Sequence, residues 1–205
     1  MIAYVPYCYC PINRTLNTIL QKLELSFFVL WKGGAIMRTD YMPKGEILHI
    51  LAALTPENRL ACEISLATGL RINDVLALKT EKIKKQRFTL HEEKTGKSRC
   101  IRLPAELYKR ALNCCGQHYV FEGRLNGRVH RTRQAVFKDL KNACKRFGIK
   151  ENIAPHSLRK IFAVEEYLQY GSLKKVQKLL NHESEAVTML YAMANELTKR
   201  KNFKK

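Results

Sequence analysis

A histidine and an arginine lie one helical turn apart in the segment APHSLRKIFA, residues 154–163. Pro155 suits the first turn of a helix, and apolar residues at positions 158, 161 and 162 recur at helical spacing, so the sequence predicts a helix that begins here. His156 and Arg159 then share one face of its first turn. The pair fits a phosphate site, because helix N–H groups attract an anion, arginine binds it bidentately and histidine can transfer a proton. The alternative is a solvated arginine beside a capping or buried histidine.

A second charged pair, Arg71 and Asp74, falls near the start of another predicted helix. Apolar residues at positions 72, 75 and 76 give that helix its spacing, and the pair shares one of its faces. In isolation the pair has the composition of an ordinary surface ion pair. It becomes a candidate for a functional site only in combination with the other motifs of the chain.

Helices must position these candidates. The spacing of apolar residues predicts four further helices, over positions 44–51, 56–68, 173–180 and about 186–194. Thr55 and Pro56 open the second of them, and Gly69 is its expected stop signal. His182 then lies between the last two helices, and Tyr191 lies within the final one.

A β-hairpin is predicted by the stretch RFTLHEEKTGKSRCIRLP, residues 87–104. Apolar residues alternate at positions 88 and 90 on one arm and at 101 and 103 on the other, and Lys94 and Lys97 lie at the tip. The letters GKS at 96–98 resemble the end of a phosphate-binding P-loop. That interpretation fails, because His91 replaces the required glycine and a strand rather than a helix follows.

Positive charge concentrates in residues 124–150, which hold nine lysines and arginines against one acidic residue, Asp139. Positions 134–147 follow a helical pattern with Ala135, Phe137, Leu140 and Cys144 as expected core contacts. The segment is either a solvated basic face or a surface that contacts DNA phosphates. The residues expected to contact DNA are Arg128, Arg131 and Arg133 in the preceding loop, Lys138, Lys141 and Lys145 on the polar face of the helix, and Lys97 at the hairpin tip.

The chain has 205 residues with 37 Lys plus Arg against 18 Asp plus Glu, a net charge of +19. This excess predicts a polyanionic partner. The longest apolar stretch, residues 26–31, is far shorter than the ~20 residues that span a bilayer, which favours double-stranded DNA over a membrane. Seven cysteines without a paired C-x-x-C spacing for zinc predict reduced thiols in a cytoplasmic protein.

Residues 1–36 differ from the rest because they contain few charges. In a bacterial or viral gene the codons for Lys32, Gly33 and Gly34 can spell AAAGGAGGN, a ribosome-binding sequence, and Met37 follows shortly after. We therefore consider Met37 as the true start, with residues 1–36 as upstream sequence read in frame. The alternative is a short N-terminal helix around 16–30.

The ordered stretches ATGLRINDVLAL, EKTGKSRCIRLP, APHSLRKIFA and KKVQKLLNHESEAVTMLYA resemble the tyrosine recombinase (phage integrase) family. They match its arginine box, its hairpin lysine, its H-x-x-R motif, and its L-G-H box followed nine residues later by the nucleophilic tyrosine. The resemblance implies a mainly α fold with a small antiparallel β-sheet or hairpin (α+β), the catalytic-domain fold of DNA breaking-rejoining enzymes. It implies a short extension over 1–40, a catalytic domain over 41–195 and a basic tail over 196–205.

The family's chemistry gives each matching residue a role. Tyr191 would attack the phosphodiester and form a 3′-phosphotyrosyl intermediate, with His156 as the base. Lys94, or Lys97 at the same tip, would protonate the leaving 5′ oxygen. The residues implied to stabilise the reacting phosphate are Arg71, Arg159 and His182, with Asp74 holding Arg71 in place. Because arginines carry that role and the phosphotyrosyl bond stores the energy for rejoining, the resemblance implies no metal site and no cofactor.

Two positions depart from the family pattern: Asn181 replaces the usual glycine, and Lys160 replaces a frequent second histidine. Asparagine tolerates a left-handed backbone better than most residues, so we expect a small effect of Asn181 on His182.

The implied partners are double-stranded DNA and other recombinase subunits, as a homotetramer on DNA. Residues 1–40 are too short for the family's core-binding domain, so either partner proteins and the basic surface choose the site, or the chain is the remnant of a longer integrase. Its basic tail would touch DNA or have no role. The rival functions are a DNA-binding regulatory module without turnover and a nicking-closing enzyme like a type IB topoisomerase.

Overall fold

The computed structural model describes residues 39–93 and 96–182, together with positions 188, 191 and 194. The predicted start at Met37, the alternative helix around 16–30 and the basic tail lie outside these residues. All described residues belong to one unit of the chain, which begins at Thr39. Within the described ranges, no helix combines the length and apolar content needed to cross a membrane.

Helices dominate this unit, and a two-stranded antiparallel sheet joins them. The helices are α1 Lys44–Ala52, α2 Pro56–Thr68, α3 Ile72–Leu76, α4 Ala105–Cys114, α5 Arg133–Arg146, α6 Pro155–Tyr170 and α7 Leu173–Leu180, with a 3₁₀ turn at Lys82–Lys84. The strands are β1 Arg87–His91 and β2 Ser98–Arg102. The predicted fold class, mainly α with a small antiparallel hairpin, is confirmed.

Proline and glycine set the ends of the two central helices, as the sequence predicts for Pro56, Gly69 and Pro155. Pro56 and Pro155 occupy the first turns of α2 and α6. Gly69 and Gly171 follow their last turns in the left-handed conformation, with φ of 66° and 63°. Proline fits the first turn because its N–H is not needed there, and glycine adopts positive φ without a steric penalty.

The hairpin has the register that alternation predicts. Phe88 pairs with Ile101 and Leu90 pairs with Arg99 across the strands. Phe88 and Ile101 are buried, so one face of the ribbon packs on the helical core. The tip between the strands includes Lys94 and Thr95, which lie outside the described residues.

The core forms around α2, which contacts α6, α3 and α4. Ile64 of α2 and Leu158 of α6 are fully buried within it. A second, smaller apolar cluster joins α6 to α7 through Phe162 and Val176, and Tyr191 packs against that cluster. The same two helices therefore build the core and carry candidate site residues.

Two details of the helices differ from expectation. Phe137 of α5 is 42% exposed, whereas its neighbour Val136 is fully buried, so the expected core contact of Phe137 is wrong. Val136 aligns with Leu140 one turn later on the inner face, but the residue one turn after Phe137 is Lys141, whose Nζ lies 5.6 Å from the Phe137 ring centroid. Helix α4 was not predicted, although its apolar residues also have helical spacing.

The five described cysteines are free thiols. They are Cys62, Cys100, Cys114, Cys115 and Cys144. Of the final predicted helix, the described positions 188, 191 and 194 are helical.

Candidate active site

The first turn of α6 carries the predicted His156–Arg159 pair. Its start is fixed by Pro155 and by a hydrogen bond of 3.3 Å from the backbone N–H of Ala154 to Ser157 Oγ. His156 is exposed on this turn, whereas Arg159 is only 1% exposed. The alternative of a solvated surface arginine is therefore excluded.

Arg159 links the ends of two other helices. Its Nη1 donates to the carbonyl of Gly69, just after α2, at 2.5 Å, and its Nη2 donates to the carbonyl of Leu180, the last residue of α7. Carbonyls at helix C-termini carry partial negative charge and lack intrahelical donors, so they suit a guanidinium. Burial, together with the charge of Arg71, lowers the pKa of Arg159 to about 10, which leaves it positively charged at neutral pH.

Arg71 precedes α3 and forms an ion pair through Nη1 with Glu92 Oε2. Glu92 is 1% exposed and follows directly after β1. Its Oε1 accepts a hydrogen bond from Asn181 Nδ2 at 3.0 Å. Three segments that are distant in sequence therefore meet at this carboxylate.

Asp74 is also buried, at 3% exposure, so it does not form an ordinary surface ion pair. Its Oδ1 accepts the backbone N–H of Glu93 at 3.1 Å, and its Oδ2 has no hydrogen-bond partner among the described residues. Burial raises the pKa of Asp74, while the hydrogen bond from Glu93 and the charges of Arg71 and Arg159 oppose that rise. The carboxylate that the structure places directly on Arg71 is Glu92.

Tyr191 lies beside both candidate histidines. Its ring centroid is 4.9 Å from that of His182 and 6.4 Å from that of His156, and both pairs meet edge to face. Burial raises the pKa of the Tyr191 hydroxyl, whereas the charges of Arg159 and Arg71 act in the opposite direction. The phenol is therefore protonated in the DNA-free protein, and ionising it requires a proton acceptor.

Both histidines are poor proton binders in this state. The surrounding protein removes part of the hydration of the exposed His156 ring, and this partial loss, followed by the charges of Arg159 and Lys160, lowers its pKa to about 4. Loss of hydration, followed by the charges of Arg159 and Arg71, lowers the pKa of His182 to about 3. Both rings are neutral at pH 7, and His182 Nδ1 lies 3.2 Å from Thr188 Oγ1, which orients its ring.

The two departures from the family pattern have clear local structures. Asn181 ends α7 in the left-handed conformation, with φ of 51°, as its residue type predicts. Lys160 is buried and donates through Nζ to the carbonyl of Thr39. The same Nζ lies 6.0 Å from the Tyr191 ring centroid, so the replacement puts a cation near the candidate nucleophile.

The predicted proton donor, Lys94, lies outside the described residues, but the base of its turn is described. Glu92 N–H donates to the carbonyl of Lys97 at 3.0 Å, and Gly96 N–H donates to the carbonyl of Glu92 at 2.8 Å. Lys97, the fallback donor, is exposed.

The residues predicted to contact DNA separate into two groups. Arg131 donates through Nε to Asn58 Oδ1 at 2.6 Å, and Lys141 donates through Nζ to Asn152 Oδ1 at 2.5 Å, so both contribute contacts within the protein. The exposed members are Lys97, Arg128, Arg133, Lys138 and Lys145.

The sequence did not single out Glu92 or Arg99, although both lie at the site. Arg99 of β2 donates through Nη2 to the carbonyl of Thr68 at the end of α2. A charged residue on a hairpin arm normally faces solvent, so its sequence position gave no sign of burial. Among the described residues, no group of three or more His, Cys, Asp or Glu side chains is arranged to bind a metal ion.

A model of the phage integrase family matches residues 40–197, and the chain belongs to this family. A tyrosine recombinase of Thermosipho africanus is 29% identical over 195 residues, which cover 86% of this chain and 68% of that protein. The integrase of Escherichia phage P2 is 30% identical over 154 residues, which cover 75% of this chain but only 43% of that protein.

Solved structures share the fold. One chain of a lambda integrase tetramer bound to a Holliday junction superimposes with a TM-score of 0.63 and 23% identity, over 77% of this chain and 49% of that chain. The family and fold are therefore those of tyrosine-type recombinases, and this chain spans about half of the lambda integrase chain.

Proposed function

We propose that this protein catalyses site-specific DNA recombination through a covalent bond between Tyr191 and a DNA 3′-phosphate. The observation that carries the proposal is the position of Tyr191, which lies against His182 and His156 and within the field of two arginines. A tyrosine that only packs in a core has no need for two edge-on histidines and a converging positive field. Family membership supports the same chemistry.

The proposed reaction begins when the Tyr191 oxygen attacks the scissile phosphorus and the tyrosine proton passes to His156. The bond from phosphorus to the 5′ oxygen breaks, and that oxygen takes a proton from Lys94. Negative charge grows on the non-bridging oxygens, where Arg71 and Arg159 are proposed to donate hydrogen bonds. Rejoining to another strand reverses these steps, since the phosphotyrosyl bond retains the energy of the broken linkage.

DNA itself completes the proposed site. A phosphate beside His156 brings negative charge, which raises the pKa of the ring from its low value of about 4 and makes it a better base. His182 is nearer to Tyr191 in the DNA-free protein, and we propose that it hydrogen-bonds the phosphate. The free protein would then hold a protonated tyrosine beside neutral histidines, and the substrate would switch on proton transfer.

The proposed substrate is duplex DNA, held by the net charge of +19 and by the exposed basic residues near and on α5. Further recombinase subunits are the proposed partners, since the matched lambda integrase is a tetramer on a Holliday junction. Phage P2 integrase is a phage protein, and we propose a mobile element as the origin of this chain too.

Covalent trapping tests the proposal. The full chain is incubated with nicked duplexes drawn from DNA that flanks its gene, and the products are run on a denaturing gel. We expect a protein–DNA adduct with the parent protein and with Tyr170→Phe, an exposed tyrosine that serves as control, but none with Tyr191→Phe. An adduct that persists in Tyr191→Phe would refute the role of Tyr191.

The products distinguish the rival functions. Strand exchange between two duplexes supports a recombinase, whereas relaxation of supercoiled DNA without exchange supports a nicking-closing enzyme. Salt-sensitive DNA binding without any adduct, in the presence of candidate partner subunits, supports the regulatory module and contradicts the proposal.

A further inference from the structure

Glu92 is a buried carboxylate to which the proposed mechanism assigns no role. It is 1% exposed, yet it contacts residues from two motifs that lie far apart in sequence. Oε2 pairs with Arg71 Nη1, and Oε1 accepts from Asn181 Nδ2 at 3.0 Å. A buried charge is costly unless it is paired and hydrogen-bonded, and both oxygens of Glu92 meet that condition.

The surroundings of Glu92 are strongly positive. Burial lowers the pKa of Arg99 and of Arg159, and Arg71 lowers both further by repulsion, while Glu92 raises both by attraction. Arg71, Arg99 and Arg159 thus repel one another in a site that must hold them close together. Glu92 supplies a negative charge that offsets this repulsion before DNA arrives.

The backbone of the same segment forms the base of the hairpin tip. The backbone of Glu92 forms hydrogen bonds with the backbones of Gly96 and Lys97 across the turn. The next backbone N–H, that of Glu93, donates to Asp74 Oδ1 of α3 at 3.1 Å. Lys94 follows two residues after Glu92. The base of the hairpin turn and the position of Arg71 therefore depend on one short segment.

Asn181 contributes to this arrangement through its side chain. Its left-handed backbone, with φ of 51°, is one that glycine also adopts, so the backbone alone does not require an amide. What asparagine adds over glycine is the hydrogen bond to Glu92. This contact connects the end of α7, next to His182, to the ion pair of Arg71 and Glu92.

We propose that Glu92 is a positioning residue, which holds Arg71 in place for the scissile phosphate, and that Asn181 orients the Glu92 carboxylate for this task. Neither acts on DNA directly. This inference rests on the proposed recombinase function, because its main readout is the rate of adduct formation.

The first test replaces the carboxylate and leaves its size unchanged. In Glu92→Gln we expect single-turnover adduct formation at saturating DNA to slow about 10²-fold, because the arginine is no longer held in the reacting geometry. Duplex binding should not weaken, measured with Tyr191→Phe as the background. Glu93→Gln makes the same chemical change on the adjacent, exposed residue and should react at the parental rate.

Glu92→Asp keeps the charge on a shorter side chain and should react faster than Glu92→Gln. This rescue separates positioning from folding, since a shorter residue in a buried position packs no better than glutamine. Equal rates for the parent protein and Glu92→Gln would overturn the proposal.

The second test removes the amide. Asn181→Gly retains the left-handed backbone and should slow adduct formation about tenfold, the effect of a hydrogen bond to a charged group. In the Glu92→Gln background the same change should cost little more, because Asn181 acts through the carboxylate. Fully additive effects would mean that the two residues act independently and would refute the relay.

Failure of the recombinase proposal can be distinguished from failure of this one. If the parent protein forms no adduct, the proposed function fails on its own account. The coupling is then tested by the melting temperatures of the parent protein, Glu92→Gln, Asn181→Gly and the double variant. If Asn181→Gly lowers the melting temperature of the parent protein but not that of Glu92→Gln, the relay is supported. Equal decreases in both backgrounds would overturn it.

Discussion

Two regions of this molecule are rich in arginine and lysine, but they treat positive charge in different ways. At the candidate active site, Arg159 is 1% exposed and each of its terminal nitrogens donates to a main-chain carbonyl. On the outer face of α5, Lys138 and Lys145 are exposed. The same residue types are therefore fixed in one region and solvated in the other.

The difference shows how one domain can use separate sets of cations for the chemical step and for attracting a polyanion. A buried cation must be held by acceptors, so the geometry of the site is set before a phosphate arrives. An exposed cation acts through the field and through counterion release, which tolerate a mobile side chain. Substitutions at the site should therefore change rates, and substitutions on the α5 face should change affinity.

The largest effect is expected for Arg159→Lys. Lysine retains the charge but cannot span the carbonyls of Gly69 and Leu180 and still donate to a phosphate. We expect adduct formation to fall about 10²–10³-fold, the effect of losing a preorganised donor to the transition state. Arg128→Lys, on the exposed side of the comparison, should react at the parental rate in the same single-turnover assay. Equally slow reaction of both variants would break the distinction between the two regions.

Two glycines, one beside the candidate site and one just after α5, allow a comparison of how much stability each region loses on substitution by alanine. Gly69 and Gly148 have φ of 66° and 64°, but a Cβ at Gly69 would lie 2.4 Å from Phe162 Cδ1, whereas a Cβ at Gly148 meets nothing within 4 Å. We expect Gly148→Ala to cost about 1 kcal/mol, from left-handed strain alone. Gly69→Ala should cost roughly 3 kcal/mol or more, because overpacking adds to that strain.

Urea unfolding monitored by circular dichroism measures both glycine variants. If the ring of Phe162 can move aside freely, the two variants should lose similar amounts of free energy of unfolding. That result would argue against rigid packing of Phe162 beside Gly69, whose carbonyl accepts from Arg159.

On the α5 side, we expect combined replacement of Arg128, Lys138 and Lys145 by alanine to weaken duplex binding and to reduce its salt dependence. The slope of log affinity against log salt should fall by about one for each DNA phosphate that the variant no longer neutralises. Each exposed substitution should change the free energy of unfolding by less than about 0.5 kcal/mol. An unchanged salt slope in a titration by fluorescence anisotropy would show that DNA lies elsewhere.

The last expected effect is a pH dependence of stability. The pKa values of His156 and His182, about 4 and about 3, lie below the ordinary value of 6.5. The unfolded chain therefore binds more protons than the folded chain below pH 6.5, and stability should decline as the pH falls from there towards 4. Melting temperatures at constant ionic strength should show this decline in the parent protein and a weaker one in His156→Asn/His182→Asn. An equal decline in both would assign it to other groups.

Local signals account for the elements that the sequence predicted well. Pro56, Pro155 and Gly69 define helix ends through their own backbone preferences, which act within one turn. The register of the hairpin follows from alternation, because a slip by one residue would expose Phe88 and Ile101. The sequence does not predict that Val136 rather than Phe137 is buried, because either of two adjacent apolar residues can face the core and the packing partners decide between them.

The candidate site was predictable in its residue types but not in its contacts. The motifs predict His156, Arg159, His182 and Tyr191 as site residues, and the structure brings them together. They do not predict Glu92, because nothing in the neighbouring sequence marks a hairpin glutamate for burial. Arg131 was expected on DNA, but the structure shows its guanidinium bound to Asn58.

The sequence by itself determined the helices other than α4, the hairpin and the residues with the chemistry of a tyrosine recombinase, since these depend on short-range spacing and side-chain type. Only the tertiary structure decided which charges are buried and which carboxylate faces which arginine. Glu92 and Asn181 are far apart along the chain but 3.0 Å apart between Oε1 and Nδ2. Such contacts arise from the packing of whole elements against one another, and no local pattern encodes them.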